Sequence, residues 1–388
     1  MTIRLATALS DLSALPRSEH PVLSVYLDWS VGPNGQRPAL AMLDQELERH
    51  AATLDERGPA RASFDADSAR IKSYLADEAP RDAAGIILFA CDADSLWGAI
   101  PLTVPVNSVV AVDSYPQLYE LARLLDDHET FLVAVAEGQQ ARIYVMSLER
   151  LEQVQQTAAS EEINRVQVGG PSQLSYANHT AFVIQLHMNE LAAALQSAVK
   201  EHRARHIVIL TNDAMKGPVR QALSPQLQEL VVELGSYQHT DQPEQLFATL
   251  SPLMQAEEHK QEQALLERLA DQLATKGGLA FGGEQAVAQA LLKGQVDTLL
   301  LGAAYAGGQG GECPACGVLR PGQRQNCPYD GSELLPVDLR EALVRHTLRQ
   351  SGQVEVVGLE GALDEHGGVA AMLRFRDDIQ RAGGDGIA

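Results

Sequence analysis

The sequence predicts an α/β protein. Short apolar runs, Val22–Asp28 (VLSVYLD), Gly85–Cys91 (GIILFAC), His206–Leu210 (HIVIL) and Thr298–Leu301 (TLLL), have the length and β-branched content of buried strands. Between them lie segments whose apolar residues recur at helical spacing, such as Leu40, Leu43 and Leu47 or Ile184, Met188, Leu191, Leu195 and Val199. A chain of 388 residues is long enough for two or three domains with their own cores.

Residues 1–127 form the first expected domain. Val22–Asp28 is a strand, and a helix opens at Leu40 and runs toward Leu54. Arg57–Asp65 reads as a loop, Ala66–Leu75 as a helix, Gly85–Cys91 as a strand and Leu118–Leu125 as a closing helix. Cys91 ends an apolar run with no partner to lower its pKa, so it is expected to be a buried structural thiol. Trp29 and Trp97 end strand-like runs and belong to the core or its rim.

Residues 128–250 form the second. Phe131–Ala136 and Gln140–Met146 are apolar runs separated by Glu137-Gly138, the pattern of a hairpin. Val166–Val199 then passes from an extended run through Gly169-Gly170-Pro171-Ser172-Gln173 into a long amphipathic helix. Paired glycines let a backbone approach another surface closely, because no Cβ stands in the way. Gln173 carries a neutral amide, both donor and acceptor, at the far end of the loop. The plainer alternative is a loop before a helix, with Ser172 as the N-cap. Pro218–Leu234 is expected to be one further helix. His179 and His187 are too far apart along the helix for a metal pair, and no Gly-x-Ser-x-Gly elbow supports a catalytic triad.

Residues 251–388 form the third. Met254–Lys276 and Glu284–Lys293 read as helices, Thr298–Leu301 as a strand, Val337–Arg349 as a helix, and Val354–Val357 and Val369–Phe375 as strands. An insertion at 311–335 holds Cys313-Pro-Ala-Cys316-Gly and Cys327-Pro-Tyr-Asp330-Gly. Each half is a tight turn whose following Gly frees backbone amides to face thiolates, as in zinc knuckles. Cys313, Cys316, Cys327 and Asp330 are therefore the candidate ligands of a structural zinc, against the alternative of a ribbon held by its turns alone. A literal Gly307-Gly308-Gln309 lies in a glycine-rich stretch with no long helix after it and reads as flexible punctuation.

Composition bounds the function. Apolar content of 45% with 21% charged residues is that of a soluble globular protein, and four cysteines, three of them clustered, suit a reduced, cytoplasmic one. No apolar run reaches the roughly 18 residues of a membrane span, and the N-terminus is not expected to be a signal peptide. A formal net charge of -21 argues against generic nucleic-acid binding. Two local concentrations of base run the other way. One contains Lys200, Arg203 and Arg205, the other Arg345 and Arg349, and each is either a phosphate contact or a solvated helix face.

The order hairpin, strand, Gly-Gly-x-Ser-Gln loop, long helix, strand, helix resembles the middle domain of the archaeal and eukaryotic class-one release factors and of Pelota. The run GQVDTLLLG and the late HGGVAAMLRFR resemble the C-terminal domain of the same proteins. The chain is thus similar to the bacterial archaeo-eukaryotic release factor-like family, which includes Balon-type hibernation factors. The resemblance implies a three-domain release factor/Pelota-like architecture. Its middle domain would be RNase H-like, and its C-terminal domain would resemble kink-turn-RNA-binding proteins with an inserted zinc ribbon. It further implies a factor entering the ribosomal A site, in contact with tRNA and rRNA, with an elongation-factor-like GTPase as a candidate partner. Gly169, Gly170, Ser172 and Gln173 then match the loop that positions water against the peptidyl-tRNA ester. Pro171 departs from the pattern, because it fixes its own φ and biases Gly170 toward extended backbone. No Asn-Ile-Lys-Ser stretch is present, so stop-codon decoding is not expected. The leading expectation is peptidyl-tRNA hydrolysis on stalled ribosomes. The second is a non-catalytic hibernation or stress factor in the A site, and the third a stress adaptor whose ribbon binds protein partners.

Overall fold

A computed structural model of the chain describes residues 5–137, 140–147, 151–158, 172–202, 204–236, 243–322 and 326–377. Two compact units emerge, one of Met1–Asp127 with Lys260–Ala388, the other of His128–His259.

The first unit opens with α1 (Leu5–Ser13), β1 (Val22–Asp28), α2 (Pro38–Ala51), α3 (Pro59–Asp77), β2 (Gly85–Cys91), β3 (Leu96–Leu102), β4 (Val109–Asp113) and α4 (Tyr119–Asp127). The strands form one antiparallel sheet in the order β3-β2-β1-β4. Its central strands are apolar on both faces because both are covered. Leu23, Val25, Ile86 and Leu88 pack against Leu43, Leu47, Phe64 and Ile71 of the two helices, while Tyr26 and Phe89 meet edge to face on the other side. Two readings of this part are corrected. The expected loop Arg57–Asp65 is mostly helix: Pro59 takes the first helical position after Gly58, where a missing N–H costs nothing. The strands β3 and β4 escaped the sequence reading because they lie at the sheet's edges and are only partly apolar. Pro101 fits an edge strand, which can spare an N–H.

The second unit contains β5 (Phe131–Ala136), β6 (Gln140–Met146), β7 (Leu151–Ala158), α5 (Ser172–His202), β8 (His206–Thr211), α6 (Asp213–Ala222), α7 (Pro225–Leu230) and β9 (Val231–Ser236). The sheet order is β7-β6-β5-β8-β9. β5 and β6 pair antiparallel, as the hairpin pattern predicts, β7 adds antiparallel to β6, and β8 and β9 add in parallel. The long helix α5 is the connection between the antiparallel half and the parallel half. Its Met188, Leu191, Leu195 and Ala198 bury against Ile143, Ile207 and Ile209 of the sheet, with Ile184 and Val199 partly buried beside them. The single helix expected over Pro218–Leu234 is instead two helices and a strand. Asn212 caps α6 through the Met215 N–H (3.1 Å) and Ser224 caps α7 through the Leu227 N–H (3.3 Å). The β-branched Val231-Val232 then turns into β9.

The chain returns to the first unit through α8 (Pro243–Ala274), and the division between the units falls inside this helix. Then come β10 (Ala280–Gly282), α9 (Glu284–Leu292), β11 (Val296–Gly302), β12 (Gln309–Glu312), β13 (Leu319–Pro321), β14 (Leu335–Asp338), α10 (Leu339–Arg349), β15 (Gln353–Val357) and β16 (Val369–Leu373). The larger sheet has the order β10-β16-β11-β15, with β11 and β15 parallel. The expected helix from Val337 begins two residues later, because Val337 and Asp338 end β14 and the Asp338 side chain caps α10 through the Glu341 N–H (3.1 Å). β13, β12 and β14 make a small antiparallel ribbon of their own.

Gly307-Gly308-Gln309 is structural here, not flexible punctuation. Gln309 is the first residue of β12, and the Gly308 carbonyl accepts from Leu339 N–H (2.9 Å). Gly307 has a φ of +75°, and a Cβ on it would lie 2.8 Å from that of Arg340, so the close approach of α10 requires glycine.

Candidate metal centre and the loop before the long helix

The ribbon carries two turns of the same design. Gly317 N–H donates to the Cys313 carbonyl and Gly331 N–H to that of Cys327, both at 2.9 Å, and each glycine has a positive φ. Cys313 N–H donates to the Val318 carbonyl and Cys327 N–H to that of Ser332, which staples each turn shut. Asp330 thus occupies in the second turn the place that Cys316 occupies in the first.

These turns bring the four expected ligands together. One ligand atom from each of Cys313, Cys316, Cys327 and Asp330 lies within 4.8 Å of all the others, and the group can hold a metal ion. The Cys316 and Cys327 sulfurs are 3.5 Å apart, and Cys313 Sγ is 3.3 Å from Asp330 Oδ2. Tetrahedral zinc with sulfur at about 2.3 Å places two sulfurs about 3.8 Å apart, so the spacing fits. Cys316 N–H points at Cys313 Sγ (3.4 Å), the amide-to-thiolate contact that a knuckle supplies. Burial pushes the Cys327 thiol up to about 11, while at Cys313 burial is outweighed by the Ser332 hydroxyl and the backbone amides, which hold that thiol below its ordinary value.

Ser332 lies outside the expected ligand set and supports it. Its hydroxyl (2.5 Å) and N–H (2.9 Å) both donate to Asp330 Oδ1, which fixes the carboxylate and leaves Oδ2 facing Cys313. Those two bonds hold the Asp330 carboxyl well below the usual carboxylate range. The signal lay in the Asp-Gly-Ser triplet, a turn in which a side chain can reach back to the carboxylate.

Glu312 ties the ribbon to α10. Its two oxygens meet Arg345 Nη2 (2.5 Å) and His346 Nε2 (2.8 Å). Burial pushes the Glu312 carboxyl up, but the His346 hydrogen bond and the Arg345 charge outweigh it and hold it below its ordinary value. Arg345 is 4% exposed, and its guanidinium also lies 3.7 Å from the centre of the Tyr115 ring. Arg349 is likewise engaged, donating to the carbonyls of Ser13 (2.6 Å) and Leu15 (2.5 Å) at the end of α1. Arg345 is therefore committed inside the first unit, while Arg349 is exposed at the end of α10 and held there by those two carbonyls. A third residue of α10, Glu341, accepts from Leu118 N–H (2.6 Å) and Tyr119 N–H (3.1 Å), the first amides of α4.

The other expected site lies in the second unit. Gly169 and Gly170 fall outside the described residues, as does Arg203. The backbone of Ser172 and Gln173 belongs to the described start of α5, so the polar end of the motif lies at the head of the helix. Lys200 is exposed in the last turn of the same helix. Arg205 pairs with Glu129, whose other oxygen meets His206. His187 is buried in α5 and Cys91 in β2, as structural residues would be.

The second unit, an α/β domain with a long helix crossing between its two sheet halves, is release factor-like. Residues 116–258 match the family model described as bacterial archaeo-eukaryotic release factor family 10. Among solved structures, the archaeal translation termination factor aRF1 aligns over 96% of this chain and 99% of its own, at 18% identity and a TM-score of 0.26. A model of ribosome-bound archaeal Pelota and ABCE1 aligns over 75% and 76%, at 15% identity and a TM-score of 0.42. Dom34 of S. cerevisiae, a translation termination-like factor of RNA quality control that interacts with Hbs1, aligns over 76% and 81%, at 11% identity and a TM-score of 0.41. No curated protein matches the chain. Among the described residues no helix is long and apolar enough to cross a membrane.

Proposed function

We propose that this protein is a ribosome-directed translation factor of the release factor/Pelota type, and that its second unit promotes hydrolysis of peptidyl-tRNA on stalled ribosomes. One observation supports this most. The Gly-Gly-x-Ser-Gln segment falls on the connection between the antiparallel and parallel halves of a β7-β6-β5-β8-β9 sheet, directly at the head of a 31-residue helix. In this reading the second unit is the RNase H-like middle domain, and a long rigid helix suits a segment that must present a loop far from its own sheet. In this reading Gly169 and Gly170 shape the loop, Ser172 opens the helix, and Gln173 orients water. The gain is by positioning, with rRNA supplying most of the site. The sheet of β10, β16, β11 and β15 is the kink-turn-protein-like C-terminal domain of this scheme, with the ribbon as its insertion. An elongation-factor-like GTPase is the proposed delivery partner, and Lys200, Arg203 and Arg205 the proposed phosphate contacts.

Pro171 favours a second reading, in which the protein occupies the A site without chemistry, because it stiffens a loop that hydrolysis needs to adapt. Single-turnover release of labelled peptide from ribosomes with an empty A site separates the two. Hydrolysis predicts release by the native chain and its loss in Gln173→Ala and Gly170→Ala, by about 100-fold or more if the amide positions the nucleophile. Ribosome co-sedimentation without release selects the non-catalytic reading. Absence of both overturns the proposal.

We further propose that the ligand set is a structural zinc site. Three thiolates and one carboxylate suit a borderline-soft ion, and the turns satisfy the sulfurs with amides. Purified protein is expected to carry stoichiometric zinc by elemental analysis, and Cys313→Ser to lose it. Metal-free native protein with an intact, reduced ribbon would count against the assignment.

A further inference from the structure

The three ribbon thiols are not equivalent. Cys313 and Cys327 are buried and Cys316 is exposed. Cys313 is surrounded by the Cys316 N–H (3.4 Å), the Ser332 hydroxyl (3.2 Å) and the Asp330 carboxylate (3.3 Å). Cys316 instead faces solvent with the Cys327 sulfur 3.5 Å away. An exposed cysteine with a second sulfur beside it is the arrangement that a two-electron oxidant converts to a disulfide.

We infer that Cys316 and Cys327 form a hydroperoxide-responsive pair whose oxidation ejects the metal; the inference rests on the zinc reading above. The Cys316 thiolate attacks the hydroperoxide: an S–O bond forms, the O–O bond breaks, and alkoxide or hydroxide leaves and takes a proton from water. The Cys327 sulfur then attacks the sulfenic sulfur, an S–S bond forms, the S–O bond breaks, and the departing hydroxide takes the Cys327 proton and leaves as water. The two electrons lost by the sulfurs reduce the peroxide.

The fourth ligand decides the fate of the metal. A disulfide does not hold zinc, so oxidation leaves Cys313 and Asp330 alone. A site built from four cysteines would keep two thiolates, whereas this one keeps a single thiolate and a carboxylate. The carboxylate at Asp330, in place of a fourth thiolate, is thus what makes the bound state reversible. Glu312 precedes Cys313 and is held by Arg345 and His346, so the ribbon stays anchored to α10 while its tip opens.

The test uses the full-length reduced protein loaded with zinc and exposed to hydrogen peroxide. Free zinc is followed with a chromogenic chelator, and disulfides are mapped by peptide mass spectrometry. The expected result is loss of the bound zinc in step with a Cys316–Cys327 disulfide, and recovery of binding after a thiol reductant. Asp330→Cys, which should fold and bind at least as well, is expected to release zinc several-fold more slowly. Zinc retained after peroxide, a disulfide confined to Cys313–Cys316, or equal release from Asp330→Cys each overturns the inference while leaving the zinc site standing. A reduced protein that binds no zinc removes the zinc reading and this inference with it.

Discussion

Glu312→Ala is expected to destabilise the first unit by about 3–5 kcal/mol. The cost comes less from the lost ion pair than from what stays behind. Arg345 is 4% exposed and would keep a charge with no carboxylate beside it, and His346 would lose the acceptor at 2.8 Å. Both of the chain's tryptophans, Trp29 and Trp97, belong to the first unit, so tryptophan fluorescence during denaturant unfolding reports that unit alone. The double variant Glu312→Leu/Arg345→Met should recover much of the loss, because an apolar pair of similar volume removes both charges at once. A change under about 1 kcal/mol in the single variant would mean that water reaches the guanidinium and that the strut is dispensable.

The same residues show where sequence reading has a limit. Arg345 and Arg349 look like a basic patch in one dimension. In three, Arg345 is buried against Glu312 while Arg349 is exposed and tied to the end of α1, because α10 is wedged between the ribbon, α1 and the head of α4 and its polar residues serve each in turn. Spacing within one helix does not say which neighbours lie across from it. The central strands β1, β2, β5 and β8 were legible because burial on both faces demands continuous apolar runs. The edge strands β3 and β7 were not, since an edge needs neither full burial nor strong β propensity. The four clustered residues of the candidate metal site were legible because a knuckle is local: four residues and a glycine encode it, and tertiary context has little to add. Of their supports, Ser332 follows the second knuckle directly and is hinted at by the Asp-Gly-Ser triplet, whereas the role of Glu312 emerges only from its distances to Arg345 and His346.

The stability of the first unit is expected to fall by about 3 kcal/mol between pH 4 and pH 8 through Glu341 alone. Burial pushes this carboxyl up to about 7, against the pull of the Leu118 and Tyr119 amides and the Arg340 charge. An unfolded chain releases the same proton near an ordinary glutamate value of about 4.3. Between those two values the folded state binds more protons than the unfolded one, so stability is fully present below about pH 4 and is lost as the pH rises through about 7. Asp67, raised to about 6 by burial, works in the same direction. Asp126 does so as well, raised to about 10 by burial and the neighbouring Glu355, and it extends the decline into the alkaline range. Glu341→Gln keeps an oxygen to accept from α4 but has no proton to lose. The variant should therefore unfold with a visibly flatter pH dependence from 5 to 8, and the residual slope should fall further when Asp67→Asn is added. An unchanged slope in Glu341→Gln would show that the α4 amides and Arg340 hold the carboxylate ionised, and that the link between α10 and α4 is a charge-assisted cap at every pH in that range.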